Sequence, residues 1–342
     1  MKIVIVGNYN EKKAGANFYA TVRKLGNGFT RNGHAVLAYS DRDVARAQSA
    51  WGIGRAGPRK ANRQLVDIAR DFRPDLIVMM HADQIANDTL REIKGLLPDL
   101  KVAGVNLDPI FLTENPPRIK RLGDVADITF ITTAGDVISQ FATPTHRMAF
   151  MPNPTDRSVE GLECFARSDQ SVDLLCSIGS EKGTPWRADA MRALKAAVPE
   201  ARYGFYGIDG KGPVFGAGYF DAIADARMGF NLNRSDEDYL YSSDRLAQFA
   251  GNGLLTFVAR SSGYGDIFSD DEFAFYDGPE DLAQRLRHFL ANDAERRSVA
   301  EKGHAKYHAL FNERIVARFI VEATFRRHVE RDYVWPTKVY GG

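Results

Sequence analysis

The chain has almost no cysteine, no long apolar run and no excess of one charge sign, and each absence removes a class of function. Two cysteines, Cys164 and Cys176, stand in 342 residues. Neither has a metal-ligand spacing, and two cannot build the disulfide framework of a small secreted scaffold, so a reducing compartment is expected. No segment reaches the ~18 consecutive apolar residues of a membrane span. The start, MKIVIVG, enters a strand at once, without the charged region and apolar stretch of a secretion signal. The expected location is the cytoplasm, at most peripheral at the inner face of a membrane. Three signatures are also missing. No G-x-G-x-x-G follows the first strand, no G-x-x-x-x-G-K-S/T phosphate loop occurs, and no G-x-S-x-G elbow occurs. A nicotinamide enzyme, a P-loop ATPase and a serine hydrolase are thereby disfavoured. With no basic stripe, zinc module or aromatic-interleaved basic sheet, a nucleic-acid partner is not expected.

What is present is a globular composition, 44% hydrophobic and 26% charged with net charge +1. The charge is uneven, with 21 Lys/Arg against 15 Asp/Glu in residues 1–151 and the opposite balance after them. A chain of this length exceeds one ordinary core and suits two domains. Residues 1–151 read as repeated βα units, with strands at 2–6, 34–39, 75–80, 101–106, 125–132 and 147–151. Helices are expected at 17–32, 62–72, 86–97 and 135–141, and residues 51–60 as loop. Short apolar strands alternating with helices mean a parallel sheet covered on both faces. Pro152-Asn153-Pro154 breaks the pattern, and 152–170 reads as a polar linker. A second βα series follows over 171–311, with strands at 172–178, 201–206, 227–232, 254–258 and 272–276 and a helix at 185–197. Residues 279–332 are nearly all helix, the last run starting at Asn312, so 312–342 forms a C-terminal helix and tail. The fold class is α/β, two Rossmann-like doubly wound domains with a helical C-terminal segment.

The stretch NLNRSDEDYLYSSDRLAQFAGNGLLTFVARSSGYG, residues 231–265, concentrates the chemistry. Polar loops at the carboxyl ends of two strands, with a helix N-terminus between them, are where open α/β sheets bind anions. Arg245 falls in the first helical turn, where a cation is unfavourable by roughly 0.3–1 kcal/mol unless something negative offsets it. A diphosphate would do so; so would Asp244 and the run Asp236-Glu237-Asp238. The loop Gly179-Ser180-Glu181-Lys182-Gly183-Thr184-Pro185-Trp186-Arg187 belongs to the same sheet, with small residues for close backbone approach and two cations, Lys182 and Arg187, in reach of a phosphate. In the first domain, strand ends carry His81, Asp83, Asn106 and Asp108. Asp108, His81 and Asp83 are candidate general bases toward a hydroxyl, although a strand-end Asp is as often a cap or Asx-turn. Asn8, Asn10 and Asn17 suit hydrogen bonding to a polyhydroxylated ligand, and turn chemistry explains them equally well. The strings Asp41-Arg42-Asp43 and Asp236-Glu237-Asp238 could hold a divalent cation, but such strings are common by chance and no metal site is expected. The final helix mixes Val316, Phe319 and Ile320 with Arg318, Arg326, Arg327 and Arg331. It could lie on an anionic membrane; packing its apolar stripe on the protein is the commoner outcome.

From about Gly229 to Phe325 the order of features resembles the GT-B glycosyltransferases, specifically the group 1-like, CgeB-like branch. The matching block runs from the Ser-x-Arg helix start through a Gly-bounded strand and a second turn to YDGPEDL and the trailing helices. The resemblance implies transfer of a sugar from a nucleotide-sugar, bound mainly by the second domain, to a hydroxyl of a glycan or glycolipid acceptor held by the first. It implies a place in cell-surface polysaccharide, lipopolysaccharide or other glycoconjugate synthesis, with no cofactor and no metal. Gly179, Lys182, Arg187, Ser242, Ser243 and Arg245 would then face the donor, and Tyr206-Gly207 would lie near its base. Asn8, Asn10 and Asn106 would stand on the acceptor side, and the final helix would cross back to the first domain. The E-x7-E pair of the wider group is not evident, with Asp236 or Asp238 and Asp266 as approximate stand-ins. Two alternatives remain, a nucleotide-sugar epimerase of the same fold and a non-catalytic nucleotide- or carbohydrate-binding protein.

Overall fold

The protein is described by a computed structural model covering residues 1–47, 56–327 and 333–342. It divides into two compact units, Met1–Pro154 with Glu313–Gly342, and Thr155–Asn312.

The first unit is built on β1 (Lys2–Gly7), β2 (Ala35–Ser40), β3 (Leu76–Met80), β4 (Lys101–Asn106), β5 (Ile128–Ile131) and β6 (Arg147–Phe150). These run parallel in the order β6-β5-β4-β3-β1-β2, and a C-terminal strand, Val339–Tyr340, adds antiparallel to β6. Central strands such as IVIV and LIVMM are continuous apolar runs because helices cover both faces. The helices are α1 (Thr21–Arg31), α2 (Asp41–Ala47), α3 (Ala56–Phe72), α4 (Asn87–Leu96) and α5 (Asn115–Gly123). The helix Glu313–Thr324 returns to this unit and buries Val316, Phe319, Ile320 and Ala323. It lies so close to α1 that a Cβ on Gly28 would sit 2.1 Å from the Glu313 carbonyl oxygen. Its last carbonyls are capped by Arg147, whose Nη1 and Nη2 donate to Ala323 O (2.7 Å) and Thr324 O (2.8 Å).

The second unit is a parallel sheet of β7 (Val172–Ser177), β8 (Tyr203–Tyr206), β9 (Ala226–Phe230), β10 (Leu255–Ala259) and β11 (Ala274–Tyr276), in the order β11-β10-β9-β7-β8. Its helices are α6 (Pro185–Ala197), α7 (Ala217–Ala224), α8 (Asp244–Gly251), α9 (Gly278–Ala291) and α10 (Asp293–Leu310). Pro185 opens α6, where its missing N–H costs nothing. The end of α8 turns on Gly253, at φ 78°.

Several sequence expectations change. Residues 155–170, expected as linker, pack within the second unit. Thr155, Asp156, Glu160 and Cys164 are fully buried, and the Gln170 amide donates to Cys164 O and Ala226 O. The two points where the chain passes between units are neighbours, since Thr155 bridges Asn312. The first helix starts at Thr21 rather than Asn17, because residues 14–19 fold as turns and Ala20 before the helix is extended, at φ −62° and ψ 140°. Of the expected loop 51–60, residues 51–55 lie outside the described residues and 56–60 begin α3. Residues 136–141 form a 3-10 helix, and α2, α5 and α7 had no expectation. The last helix is described to Thr324, and residues 328–332 of the expected run, Arg331 included, lie outside the described residues.

Candidate active site

In the second unit, β7 and β9 are adjacent, so the loops after them share one sheet edge. Arg187 reaches that edge from the first turn of α6, and Arg245 from the first turn of α8. Both donate to a single acceptor, Leu232 O, Arg187 Nη2 at 2.7 Å and Arg245 Nη2 at 2.7 Å. Arg245 Nη1 also donates to Ser177 O at 2.5 Å. Arg187 is only 4% exposed, and the Nε of each arginine is buried without a partner. Burial, with the Arg245 charge beside it, pushes the Arg187 guanidinium down to about 9. Among the described residues no carboxylate comes within ion-pair distance of either cation. Asp236 is the acid that feels both charges. Its carboxyl is pushed up by burial and held by the Asn233 amide at 3.0 Å. A buried cation and a half-buried one on neutral carbonyls form a site with uncompensated positive charge.

The other expected donor residues divide. Gly179 faces open space, and Lys182 is exposed at the same loop. Ser243 is the N-cap position of α8, where its N–H donates to Asn233 Oδ1 (3.2 Å) and its hydroxyl lies 3.5 Å from Asn231 Oδ1. Ser242 is buried and accepts from the Tyr264 hydroxyl at 2.9 Å, which ties the loop down rather than presenting a ligand group. The Tyr206 ring carries the Lys211 ammonium 3.8 Å from its centroid, and Gly207 needs its positive φ of 83° and lack of Cβ to pass Ile178 O. Of the stand-in acids, Asp266 accepts from the Tyr239 hydroxyl at 2.8 Å. Asn231 was missed by sequence reasoning; it is fully buried with its Nδ2 unpartnered at this edge.

In the first unit, the register pairs Gly7 with Met80 and Met80 with Val105. The next residues, Asn8, His81 and Asn106, therefore follow one another across three adjacent strand ends. His81 has a left-handed backbone, φ 48°, a strained state for a residue with a side chain. Its Nε2 accepts from the Leu107 N–H at 3.1 Å, which puts the ring proton on Nδ1, 3.7 Å from Asp108 Oδ2. Burial holds the imidazole below its usual pKa, against the pull of Asp108 and Asp83. With Nε2 engaged, His81 acts more readily as an orienter than as a base. Asp83 is paired with Arg42 at 2.5 Å. Asp108 is 41% exposed and 3.5 Å from Arg118, so it is the carboxylate left open to a substrate. Asn106 is consumed by structure. Its amide donates to Asn115 Oδ1 (2.6 Å), whose own amide donates to Asp108 O (2.6 Å) and Pro109 O. Asn8 has no hydrogen-bond partner among the described residues, whereas Asn10 is fixed in a turn at φ 54°.

Arg118, on the unexpected α5, is the other residue missed here; Pro116-Pro117 at the first helical turn was its signal. The Asp41-Arg42-Asp43 string serves the start of α2. Asp43 accepts from the Ser40 hydroxyl (2.5 Å) and Glu11 N–H, and Asp41 from Gln84 N–H (3.0 Å). Among the described residues no group of three or more His, Cys, Asp or Glu side chains could hold a metal ion. None of the described helices is long and apolar enough to cross a membrane.

Residues 174–322 match the family model described as glycosyl transferase-like. No curated protein matches the sequence. Among solved structures, the fold is similar to sucrose-phosphate synthase from Thermosynechococcus elongatus, at 13% identity and TM-score 0.56 over 95% of this chain and 98% of that one. It is also similar to Anabaena HepE in complex with UDP, at 12% identity and TM-score 0.56 over 95% and 100%. AviGT4, a glycosyltransferase involved in avilamycin A biosynthesis, shares 15% identity and TM-score 0.56 over 95% and 97%.

Proposed function

We propose, from the premise that the chain has the GT-B glycosyltransferase fold and a glycosyl transferase-like second unit, that it moves a sugar from a nucleotide-sugar to a hydroxyl acceptor. The observation that carries the reading is the pair of buried Arg187 and half-buried Arg245 on one carbonyl, with no acid in ion-pair reach among the described residues. When the bond from the sugar carbon to the diphosphate breaks, the electron pair leaves with the nucleoside diphosphate. Cations and helix N-termini already aimed at that group stabilise the transition state more than the ground state. Arg187 and Arg245 supply this charge from the protein, with Lys182 at the rim, so the mechanism calls on no metal. HepE in complex with UDP is a precedent for a nucleoside diphosphate on this fold.

The acceptor hydroxyl forms the new bond to the sugar carbon and gives its proton to Asp108. His81 turns Nδ1 toward that carboxylate at 3.7 Å, and Arg118 lies 3.5 Å from it. Asn8, unpartnered at the neighbouring strand end, is assigned to acceptor hydroxyls. The acceptor is a glycan or glycolipid, and exposed Arg314, Arg326 and Arg327 suit an anionic membrane surface. A thermal-shift screen of UDP-, GDP-, ADP-, CMP- and dTDP-linked sugars tests the reading, because a bound ligand raises apparent stability by mass action. One donor class should raise the melting temperature of the wild type and not of Arg245→Ala. A flat response to all five would sink the donor site.

A further inference from the structure

A groove of about 600 Å³ opens in the first unit between the end of α1 and the helix Glu313–Thr324, within the ~300–1,000 Å³ of small-molecule sites. One wall is the turn before β2, which starts at Ala35 opposite Lys2, so the groove lies where the strands begin. Asp108 stands past the other end of β4, at the carboxyl edge of the same sheet. Four arginines line the groove, Arg31 on α1, Arg314 and Arg318 on the helix, and Arg327 just beyond it. Among the described residues that line it, Glu322 is the one acid and Val321 the one apolar side chain. The nearby acids are already engaged. Glu313 pairs with Arg31 at 2.6 Å, and Glu322 accepts from the Tyr333 hydroxyl at 2.7 Å and lies 3.9 Å from Arg318. Arg314 and Arg327 have no carboxylate within ion-pair distance among the described residues. Arg314 is held in place by Asn32, whose amide donates to Arg314 O at 2.8 Å and whose Oδ1 lies 3.5 Å from Arg314 Nε. It also stands in the first turn of its helix, where its charge opposes the helix dipole.

His34, half-buried in the same wall, reports the field there. Burial lowers its pKa, and the Met1 ammonium and Arg327 lower it further, against the pull of Asp75. The imbalance extends over the unit. Lys and Arg outnumber Asp and Glu by 27 to 19 in residues 1–154 and 313–342, and are outnumbered 18 to 25 in the rest. An uncharged sugar would leave the groove's charge uncompensated, and one apolar wall residue offers little to a hydrocarbon chain. Arginine forks match phosphate oxygens two at a time. Arg314 and Arg318 are one helical turn apart, about 5–6 Å between Cβ atoms, and adjacent phosphates supply negative charges equally close together. We propose that this groove binds a ligand carrying two or more adjacent phosphate groups, free in solution or on lipid headgroups. The site is separate from the donor and acceptor assignments and does not depend on them.

The test is a calorimetric titration of the full chain with inorganic tripolyphosphate, with the His34 imidazole followed by NMR and assigned by its loss in His34→Gln. Saturable binding should raise the His34 pKa, because an anion beside Arg327 offsets the charge that holds it low. Arg314→Gln combined with Arg327→Gln should weaken that binding at least tenfold at an unchanged melting temperature, since both side chains are exposed. Arg327→Gln alone should weaken it several-fold, which keeps the test open if the double variant does not fold. Arg245→Ala should leave the His34 response intact, which separates this groove from the donor site. Tripolyphosphate binding that leaves His34 unmoved, or equal affinity in the arginine variants, overturns the proposal. Citrate bound as tightly overturns the phosphate. Vesicles of phosphatidylcholine with phosphatidate distinguish the two sources. Sedimentation of the protein with them, competed by tripolyphosphate, assigns the phosphates to lipid headgroups; tripolyphosphate binding without sedimentation assigns them to a soluble ligand. Sedimentation with no binding of free tripolyphosphate would make this a charged surface and overturn the ligand site.

Discussion

The strand ends of the two units carry charge in opposite ways. In the first unit each acid has its cation, Asp83 with Arg42 and Asp108 beside Arg118, and His81 sits neutral between them. In the second, Arg187 and Arg245 crowd one carbonyl with no acid in ion-pair reach among the described residues. A balanced cluster is stable by itself and can spare one exposed carboxylate for proton transfer. An unbalanced, buried one destabilises the empty fold and is relieved when an anion arrives. Under the proposed function, that difference would give base chemistry to one unit and leaving-group chemistry to the other.

The largest test of this contrast is Asp108→Asn. It should lower the turnover of acceptor-dependent transfer by about 10²–10⁴-fold, the usual contribution of a general base, while donor affinity from calorimetry stays within about twofold. Loss of donor binding would break the assignment. Next is Arg187→Met, which removes a buried cation but keeps bulk. Donor affinity should fall about 100-fold, or ~2.7 kcal/mol, while the melting temperature of the empty protein holds or rises. A large drop in that temperature would mean the arginine is mainly a tie to Leu232.

Acid gives a third test, on the second unit's own scaffold. His304 and His308 are buried on α10 and donate to Ala250 O (3.2 Å) and Gly251 O (2.8 Å), the last carbonyls of α8. Burial pushes His308 down to about 4 and also lowers His304. The unfolded chain takes up these protons near pH 6.5, and the folded one refuses His308's until about pH 4. Stability is therefore full above pH 6.5 and falls between 6.5 and 4, by on the order of 3 kcal/mol for His308. Urea melts of wild type and His308→Gln should converge as pH falls through that window; parallel curves would refute the burial effect. The smallest effect belongs to Lys182→Ala. Exposed and unpaired, it should weaken donor binding only about two- to fivefold, and less at high salt.

Much of the fold was legible because parallel strands buried on both faces are continuous apolar runs. The strand 101–106 and the helix 185–197 fall where periodicity and Pro185 put them. Helix α5 was hidden because Pro116-Pro117 reads as a breaker until it is seen in a first turn. The burial of 155–170 was illegible for another reason. Some of its polar groups are satisfied by partners far along the chain, as the Gln170 amide is by Ala226 O and the Leu162 N–H by Asn252 Oδ1. The site divides in the same way. Arg187 and Arg245 could be brought together from strand order alone. The task of His81 depends on one backbone amide, Leu107, and that of Ser242 on a tyrosine 22 residues away, and neither spacing is periodic.

The return of residues 313–342 to the first unit also sets an order for synthesis. That unit is begun before the second and completed after it. Until residues 313–342 leave the ribosome, the surface around Gly28, later covered by Ala317, and around Phe130, later covered by Phe319, stays open. The second unit is whole as soon as Asn312 has emerged. A nascent chain therefore carries a finished domain behind an unfinished one, the kind of exposed apolar face on which chaperones act. A stop codon near 312 would leave the arginine pair intact and strand the half that holds the proposed base.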